Sequence, residues 1–599
     1  MKNKNKDNIS YINLIRGLWK HTKSKRKMQL VFVSFLMIFG ALLETITLAS
    51  LLPFLSALTN PSRFFEELKF TSYFSSINSL TTGQFLLVIT LCFSLIVILS
   101  STIRIFNIWY SGIYSANIGS DLSIACFKST IYQNYDVHLN QSTSKLLNII
   151  TKEVGSTTKI IEVFLNLLTA FLILLSLTIS LFILSWKIAI FGGLVLFCSY
   201  FLIVYFSKKK LLKNSKKASL ASSIQIKLIQ ESLGSIKEII LNRAYEEFVN
   251  IYEKNDRPLR KIIAQNQFLT IFPRYGMEGL SLTLIAFISF SIVVGKENGY
   301  EVLPLLGAIS LGALRLLPNF QLIYASWATI QANKTPVINV MNCLSQDLNH
   351  EYSNFNNLEI NFKKEIIFKN LFFKYNKNSK KSNLENINLT IKKGDKIGII
   401  GSTGSGKSTF IDILMGLLKP TSGHLLIDGI DINKKNNFFD LISWRSSIAH
   451  VPQNIFLIDA PIDENIAFVS SQKKINIAKV YEAAKKAQIF ELLKSENTSK
   501  SSIGERGLRI SGGQVQRIAI ARALYQDKKV LVLDEATSSL DSKTENLIMK
   551  SLLNLEEDLT LIMIAHRLSS LKGCNKVIEF KEGTIHRIYN EDEWKLRNQ

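Results

Sequence analysis

Cysteine is scarce in this chain and irregularly placed, with five among 599 residues. The number is odd and no two cysteines form a C-x-x-C pair, which disfavours both a disulfide framework and a zinc site. Acidic residues are also few, 47 against 71 basic ones, so the formal net charge is +24. The basic clusters flank apolar runs, at 23–27 and 208–217, as membrane topology requires. The charge therefore favours a membrane protein over a nucleic-acid-binding protein.

Six apolar runs in the first half are long enough to cross a bilayer. They lie at 29–55, 84–110, 161–186, 188–206, 267–294 and 302–326. Six buried core helices of this kind would be improbable in a soluble protein. No cleaved signal peptide is expected, because the first run is too long, lacks a cleavage site and follows a polar segment, 1–28.

The connections after the second and fourth runs are long, rich in lysine and arginine, and helical in periodicity. They predict membrane helices that extend into the cytoplasm, with tips near 132–140 and 231–243. Both chain ends are then cytoplasmic. We predict a helical membrane domain over 29–332, with 1–28 as a cytoplasmic N-terminal segment.

Five of the runs contain ionisable residues, each costing about 2.5–3.5 kcal/mol at the centre of a bilayer. These are Glu44, Arg104, Glu162, Arg274 with Glu278, and Arg315. Arg104 and Glu162 lie near cytoplasmic ends, where snorkelling explains them. Arg274 and Glu278 are four residues apart and spaced to pair with each other.

Arg315 needs a different explanation, because it lies deep in its run without an acidic neighbour there. One hypothesis is that it faces a polar cavity that receives an anionic group. The other is a structural ion pair with Glu44. We regard Arg315, Arg274 and Glu44 as candidate substrate-binding residues.

The second half is soluble in character: a linker over 333–357 precedes an α/β pattern over 358–599. An apolar strand is followed there by a glycine-rich turn and a helical pattern, the context of a P-loop. The residues are Gly401, Ser402, Thr403, Gly404, Ser405, Gly406, Lys407, Ser408 and Thr409. Backbone N–H groups of such a loop bind phosphates, while Lys407 reaches the β- and γ-phosphates and Ser408 binds Mg²⁺. The plain alternative is a turn that only joins strand to helix.

Other candidate catalytic residues follow separate strands. Asp534 and Glu535 end an apolar strand, where Asp534 is suited to hold Mg²⁺ and Glu535 to polarise the hydrolytic water. Gln453 is suited to reach Mg²⁺ or the attacking water, and His566 to sense the γ-phosphate. Tyr375 precedes the P-loop and is suited to stack on a purine, or else is an ordinary strand aromatic.

The sequence contains a second helix N-terminus suited to bind an anion, and the P-loop site of the same chain does not need it. Ser511, Gly512, Gly513 and Gln514 precede a helical pattern, and helix N-termini bind anions. Because the P-loop already serves that purpose, we expect these residues to cover the nucleotide of a second copy. This predicts a dimer with two nucleotides at its interface.

Together these residues resemble the motifs of ABC ATPases, in family order. They correspond to the Walker A motif, Q-loop, signature, Walker B motif, D-loop and H-loop, at Gly401–Thr409, Gln453, Ser511–Gln514, 533–537, 538–541 and His566. The resemblance implies ATP and Mg²⁺ as cofactors, ATP hydrolysis, and a nucleotide contact for Asp541. Ile510 departs from the usual leucine, a conservative change that leaves Ser511 and Gly513 in place.

The whole chain is similar to ABC exporters. This resemblance implies a fold of six transmembrane helices fused to an α/β P-loop ATPase domain. It also implies that the protein is a homodimer and a multi-pass protein of the inner (plasma) membrane. Within that class the stretches 43–54, 273–279 and 314–318 resemble lipid-linked oligosaccharide flippases and related polysaccharide exporters. The loop 56–83 resembles the small outer helix of that group. The implied substrate is an amphiphilic, lipid-linked anion; a multidrug or lipid exporter is the alternative.

Other classes fit less well. An ATP-gated channel or regulator is disfavoured because the sequence has no long regulatory insertion, and a peptide exporter because no protease domain precedes the first run. A soluble ABC ATPase acting on nucleic acid does not explain six apolar runs.

Overall fold

The computed structural model of the chain divides into two compact units. One comprises Met1–Gln133 and Asn140–Leu348, and the other Asn134–Leu139 and Asn349–Gln599. The structure describes residues 23–59, 81–184, 186–294, 303–346, 362–376, 381–434, 438–468, 475–494, 502–504, 507–537, 539–554, 558–565 and 568–597. The interior of the predicted outer loop and residues 347–357 of the predicted linker lie outside these ranges.

Six long helices carry the apolar runs. They are α1 (Ser24–Thr59), α2 (Thr82–Ile131), α5 (Val154–Leu184), α6 (Trp186–Gly234), α8 (Tyr245–Val294) and α9 (Leu303–Ala332). Within the described residues, three stretches are long and apolar enough to cross a membrane: Ser24–Leu58, Gly83–Ile131 and Thr143–Ile179. Shorter helices are α3 (Tyr135–Asn140), α4 (Thr143–Asn148), α7 (Ile236–Leu241) and α10 (Lys334–Leu344), and Ile149–Glu153 forms a π-helical turn.

Three of the long helices are much longer than a bilayer is thick. Helices α2 and α8 have 50 residues and α6 has 49. At 1.5 Å per residue each is roughly 75 Å long, against a hydrocarbon core of about 30 Å. The predicted tips coincide with the short helices α3 and α7. The excess length is therefore continuous helix rather than loop.

Helix α10 lies in the stretch that the sequence analysis assigned to the linker, and it packs within the first unit. Val340 and Cys343 of α10 are buried in one cluster with Val33 of α1 and Cys126 of α2. The Ser129 hydroxyl donates to the Cys343 carbonyl oxygen over 2.7 Å. All five cysteines are free, with Cys92 and Cys198 exposed and the other three buried.

The second unit contains two sheets. Strands β1 (Glu365–Phe373), β2 (Leu384–Lys392), β4 (Ser422–Ile427) and β5 (Ile430–Asp431) form an antiparallel sheet in the order β2-β1-β4-β5. The other sheet has the order β10-β9-β3-β8-β7-β6. Its strands are β3 (Lys396–Gly401), β6 (Ile448–Val451), β7 (Val530–Asp534), β8 (Thr560–Ile564), β9 (Lys576–Lys581) and β10 (Thr584–Asn590).

The helices of this unit are α11 (Lys407–Leu414), α12 (Phe438–Ser446), α13 (Ile462–Ala467), α14 (Ile477–Lys486), α15 (Phe490–Lys494), α16 (Gly512–Tyr525), α17 (Ser542–Leu553) and α18 (Glu591–Arg597), with a 3₁₀ turn at Leu568–Leu571. Strands β6, β7, β8, β3 and β9 are parallel neighbours. Their burial patterns are almost continuous, as in β7 and β8, because helices cover both faces of a parallel sheet. Ligands of such sheets bind beyond the carboxyl ends of the strands.

Candidate nucleotide and substrate sites

The phosphate loop leaves the carboxyl end of β3 and enters α11. Gly401, Gly404 and Gly406 all have positive φ angles, of 148°, 79° and 102°, a region that glycine alone adopts freely. A Cβ atom at Gly401 would collide with the Phe580 carbonyl oxygen of β9. Gly406 is the N-cap of α11. The glycines therefore hold the loop close to the sheet and direct its backbone N–H groups outward from a helix start.

Lys407 lies across this loop. Its ammonium donates to the carbonyl oxygens of Gly401 over 2.8 Å and Ser402 over 3.0 Å. The side chain is buried, and burial lowers the pKa of Lys407 while the charges of Glu535 and Asp534 raise it. The cation therefore lies in the field of both acids at the end of β7.

Glu535 and Gln453 are brought together from different strands. The Gln453 amide, just beyond the end of β6, donates to Glu535 Oε2 over 2.7 Å. Glu535 has φ of 52°, a left-handed conformation that costs a non-glycine residue on the order of 1–3 kcal/mol. Such strain persists only where surrounding structure imposes it, and it concentrates at functional sites.

The donors fit a hydrated divalent cation. Asp534 ends β7 and is half-buried, while Ser408 in the first turn of α11 is exposed. Carboxylate, hydroxyl and amide oxygens are the ligands that Mg²⁺ prefers. The hydroxyl of Ser405, also in the loop, is buried and has no hydrogen-bond partner among the described residues.

Asp412 adds a further carboxyl near this site, which the sequence analysis did not identify. Burial and the charge of Asp534 raise the pKa of Asp412 to about 6. An acidic residue on the second turn of a P-loop helix was the available signal, but its burial depends on tertiary packing.

Tyr375 follows β1 and is half-exposed at 50%. Its hydroxyl lies 3.2 Å from Thr409 Oγ1, and its ring packs edge-on against Phe373. The tyrosine is thus held beside the P-loop with a face accessible. His566 follows β8, but its placement lies outside the described residues.

Ser511 to Gln514 form a capping box at the start of α16. The Gln514 N–H donates to Ser511 Oγ over 3.3 Å, and the Ser511 N–H donates to Gln514 Oε1 over 2.8 Å. Among the described residues, no hydrogen bond joins this segment to the phosphate loop of the same chain.

Two side chains, Gln516 and Glu545, support the segment around Asp541 and were missed from sequence. The buried Gln516 accepts a hydrogen bond from the Ser539 N–H over 3.0 Å. Glu545 accepts from Thr537 over 2.9 Å and from Ser570 over 2.5 Å. Asp541 itself caps α17 by accepting from the Thr544 N–H over 2.7 Å. Sequence periodicity does not report such side-chain contacts between elements.

A polar cavity of about 280 Å³ lies between α1, α2 and α9 of the first unit. Its walls include Glu44, Ser100, Arg104 and Asn319. Glu44 is buried and accepts a hydrogen bond from Ser100 over 3.0 Å. Arg104, which the sequence analysis explained by snorkelling, lines this cavity with Glu44.

The other intramembrane charges have different surroundings. Arg274 and Glu278 are both exposed on α8 and, within the described residues, form no ion pair, so the predicted pairing is not observed. Glu162 pairs with Lys159 over 3.1 Å. Arg315 lies in α9 one turn before Asn319, but its side chain lies outside the described residues.

Comparison with known proteins adds three findings. Family profiles match twice, "ABC transporter transmembrane region" over 28–310 and "ABC transporter" over 384–538. The heterocyst differentiation ATP-binding protein HepA of a Nostoc species is 29% identical over 82% of this chain and 80% of its own length. The ATP-dependent lipid A-core flippase of Cupriavidus metallidurans is 27% identical over 75% and 74%. A solved bacterial Atm1-family ABC exporter with ATP bound superposes with a TM-score of 0.78 at 20% identity, covering 96% of each chain.

Proposed function

The chain belongs to the ABC exporters that fuse a transmembrane domain to an ATP-binding domain, and we propose that it moves an amphiphilic, anionic, lipid-linked saccharide across the membrane as a homodimer. ATP hydrolysis coupled to transport is the activity of this family. The polar cavity at Glu44, Ser100, Arg104 and Asn319 carries the proposal, because it lies within helices that are otherwise apolar.

The ATP site follows from the positions described above. Lys407 and the loop N–H groups bind the phosphates, and Tyr375 stacks on the base. Ser408, Gln453 and Asp534 would hold Mg²⁺, which neutralises phosphate charge when bound. Glu535, oriented by the Gln453 amide, accepts a proton from the attacking water.

The second copy completes each site in this proposal. Ser511, Gly512, Gly513 and Gln514 of one chain cover the nucleotide on the P-loop of the other, with Asp541 at the same interface. His566 contacts the γ-phosphate. Nucleotide binding joins the two ATPase domains, and hydrolysis releases them, which alternates the membrane helices between two states.

The substrate class is inferred from the membrane cavity. A volume of about 280 Å³ accommodates a headgroup fragment rather than a whole lipid. Arg104 lines it, and Arg315 precedes the wall residue Asn319 by four positions on α9; in this proposal both arginines serve the anion. Guanidinium groups bind phosphate oxygens in bidentate fashion. The relative named for a lipid A-core substrate favours a lipid, whereas a hydrophobic cation gains nothing from two arginines.

Orientation and location follow from charge. Lysine and arginine concentrate at 23–27 and 208–217, on the side of the membrane that faces the cytoplasm by the positive-inside rule. We infer a multi-pass protein of the inner (plasma) membrane with both termini in the cytoplasm.

The test compares two substrate sets in proteoliposomes. Wild-type protein should show ATPase stimulation and flipping with polyprenyl-pyrophosphate sugars and neither with hydrophobic cations. Arg315→Ala should lower the response to the first set by about tenfold or more, because a charge-assisted contact is lost. Arg257→Ala, an exposed arginine outside the predicted spans, is the matched control. Equal activity of wild type with both sets would establish the multidrug alternative instead.

A further inference from the structure

A second polar cavity lies in the extended part of the helical unit, away from the Glu44 cavity. Its volume is about 450 Å³, and its walls come from the π-helical turn and helices α4, α5, α6, α8, α9 and α10. Ligand pockets for small organic groups begin at roughly 300 Å³. The cavity is therefore large enough for one or two sugar rings.

Its lining is mostly neutral and polar. Eleven of the nineteen lining residues carry a hydroxyl or an amide, and three are ionisable: Lys152, Glu153 and Arg260. Lys152 donates to the Gln225 amide oxygen over 3.0 Å, and Arg260 pairs with Asp256 over 3.3 Å. The wall thus offers many neutral donors and acceptors and little free charge.

Two buried side chains on the wall each retain an unused polar atom. Glu153 is 3% exposed; its Oε1 accepts from Ser219 over 2.6 Å and Asn339 over 3.0 Å, and its Oε2 has no partner. Asn148 is 1% exposed; its oxygen accepts from Ser222 over 2.8 Å, and its nitrogen has no partner. Buried groups of this kind normally have partners, so each exception calls for an explanation.

The π-helical turn helps to place these two residues together. In an α-helix, residues five apart point about 140° away from each other. The turn Ile149–Glu153 contains an extra residue, closed by the Val154 N–H donating to the Ile149 carbonyl oxygen. More residues per turn reduce the angle between Asn148 and Glu153. Turns of this kind are frequent at functional sites.

The unused atoms select among ligand classes. Asn148 offers a donor and Glu153 an acceptor, and hydroxyl groups can act as partners of either kind. An ammonium group would leave the Asn148 nitrogen without an acceptor, and a phosphate would face the Glu153 carboxylate. We propose that this cavity binds the saccharide part of the transported substrate. The inference rests on the proposed function, which supplies a substrate with a saccharide.

Two isosteric variants of the full-length protein test this in proteoliposomes. Glu153→Gln keeps Oε1 and its two hydrogen bonds but replaces the unused acceptor with a donor. Asn148→Asp keeps the Ser222 contact but removes the unused donor. The concentration of polyprenyl-pyrophosphate disaccharide that half-maximally stimulates the ATPase should rise about tenfold in each variant, because a hydrogen bond to a buried group is lost. Stimulation by polyprenyl pyrophosphate without sugar should be unchanged. Glu162→Gln, an exposed carboxylate on the same helical segment, should alter neither.

Direct binding separates this inference from the proposed function. Maltose, lactose and N,N′-diacetylchitobiose are titrated into the purified protein and followed by calorimetry. If wild type binds any of these sugars and both variants bind it more weakly, the saccharide site is supported. This holds even if neither lipid stimulates the wild-type ATPase, a result that would make the proposed transport wrong. Two results would overturn the inference and show that the cavity holds water only. In the first, both variants match wild type in both assays. In the second, wild type binds none of the three sugars and responds equally to both lipids.

Discussion

The hydrogen bond between Gln453 and Glu535 ties the proposed general base to the end of another strand. Glu535→Gln keeps the shape of the side chain but removes its ability to accept a proton. We expect turnover to fall by roughly 10²–10⁴-fold while ATP binding is retained, as measured by phosphate release and by nucleotide titration. Glu482→Gln, an exposed carboxylate on α14, is the control. Normal hydrolysis by the Glu535 variant would refute its assignment.

Asp412 makes the folded ATPase domain less stable as the pH rises, whereas most carboxyl groups in proteins have the opposite effect. Its pKa of about 6 in the folded protein exceeds the ordinary 3.8, so the folded state binds the proton more tightly than the unfolded state. Ionisation of Asp412 therefore lowers the free energy of unfolding. This loss is absent below about pH 4, grows as the pH rises, and is complete above about pH 6. Asp412→Asn should therefore stabilise the ATPase domain at pH 8 by on the order of 1–3 kcal/mol.

Thermal unfolding of detergent-solubilised protein at pH 8 and pH 5 measures this effect. The gain from Asp412→Asn should be larger at pH 8. A gain that is independent of pH would mean that packing, rather than the buried charge, separates the variant from wild type.

At the scale of elements, the junction of β3 with the phosphate loop permits a matched pair of substitutions. Gly401→Ala would bring a Cβ atom against the Phe580 carbonyl oxygen of β9, whereas Gly404→Ala meets nothing within 4 Å. Both glycines have positive φ angles, so both variants carry backbone strain on the order of 1–3 kcal/mol. We expect Gly401→Ala to lose ATP binding and lower the unfolding temperature, and Gly404→Ala to be milder in both assays. If the two variants lose ATP binding and thermal stability equally, the close approach of β9 to Gly401 does not explain the losses.

Much of the element order was predictable because each pattern is local. Apolar runs gave the six long helices, and acids or amides after apolar strands pointed to Gln453, Asp534 and Glu535. These sites lie at the ends of β6 and β7, because parallel strands place their carboxyl ends at one edge. Contacts between elements were not predictable, as with Arg104 at the Glu44 cavity.

The π-helical turn shows a second limit of sequence reasoning. Residues Ile149–Glu153 have an ordinary helical pattern, and nothing in it marks the extra residue. The turn is stabilised by tertiary contacts, since the Glu153 carboxylate accepts hydrogen bonds from α6 and α10. Helix α10 was assigned to a linker because it is too short and too mixed in composition for a membrane run, and its burial depends on contacts with other helices.

At the scale of the whole molecule, the proposed dimer predicts complementation between inactive chains. Lys407→Ala and Ser511→Ala should each lower ATPase activity strongly when present in both chains. A mixed dimer restores one site in which both Lys407 and Ser511 are intact, because each site uses the P-loop of one chain and the Ser511 segment of the other. ATPase activity of co-purified, differently tagged chains should recover to roughly half that of wild type, the share of one site in two.

The control is a mixture of Lys407→Ala with Glu535→Gln. Both residues act on the same nucleotide from the same chain, so each site of that mixed dimer retains one defect. Activity should stay low. Recovery in this mixture, or none in the first, would show that the sites are not shared between chains.

The distribution of thiols makes the helical unit readable by spectroscopy. Cys92 on α2 and Cys198 on α6 are exposed, and the remaining three sulfhydryls are buried. Cys92 and Cys198 both lie within predicted membrane runs, so small, membrane-permeant maleimides should attach a nitroxide to each of them in the native chain without engineered positions. Pulsed electron resonance between the labels then reports the separation of these helices during each cycle of nucleotide addition.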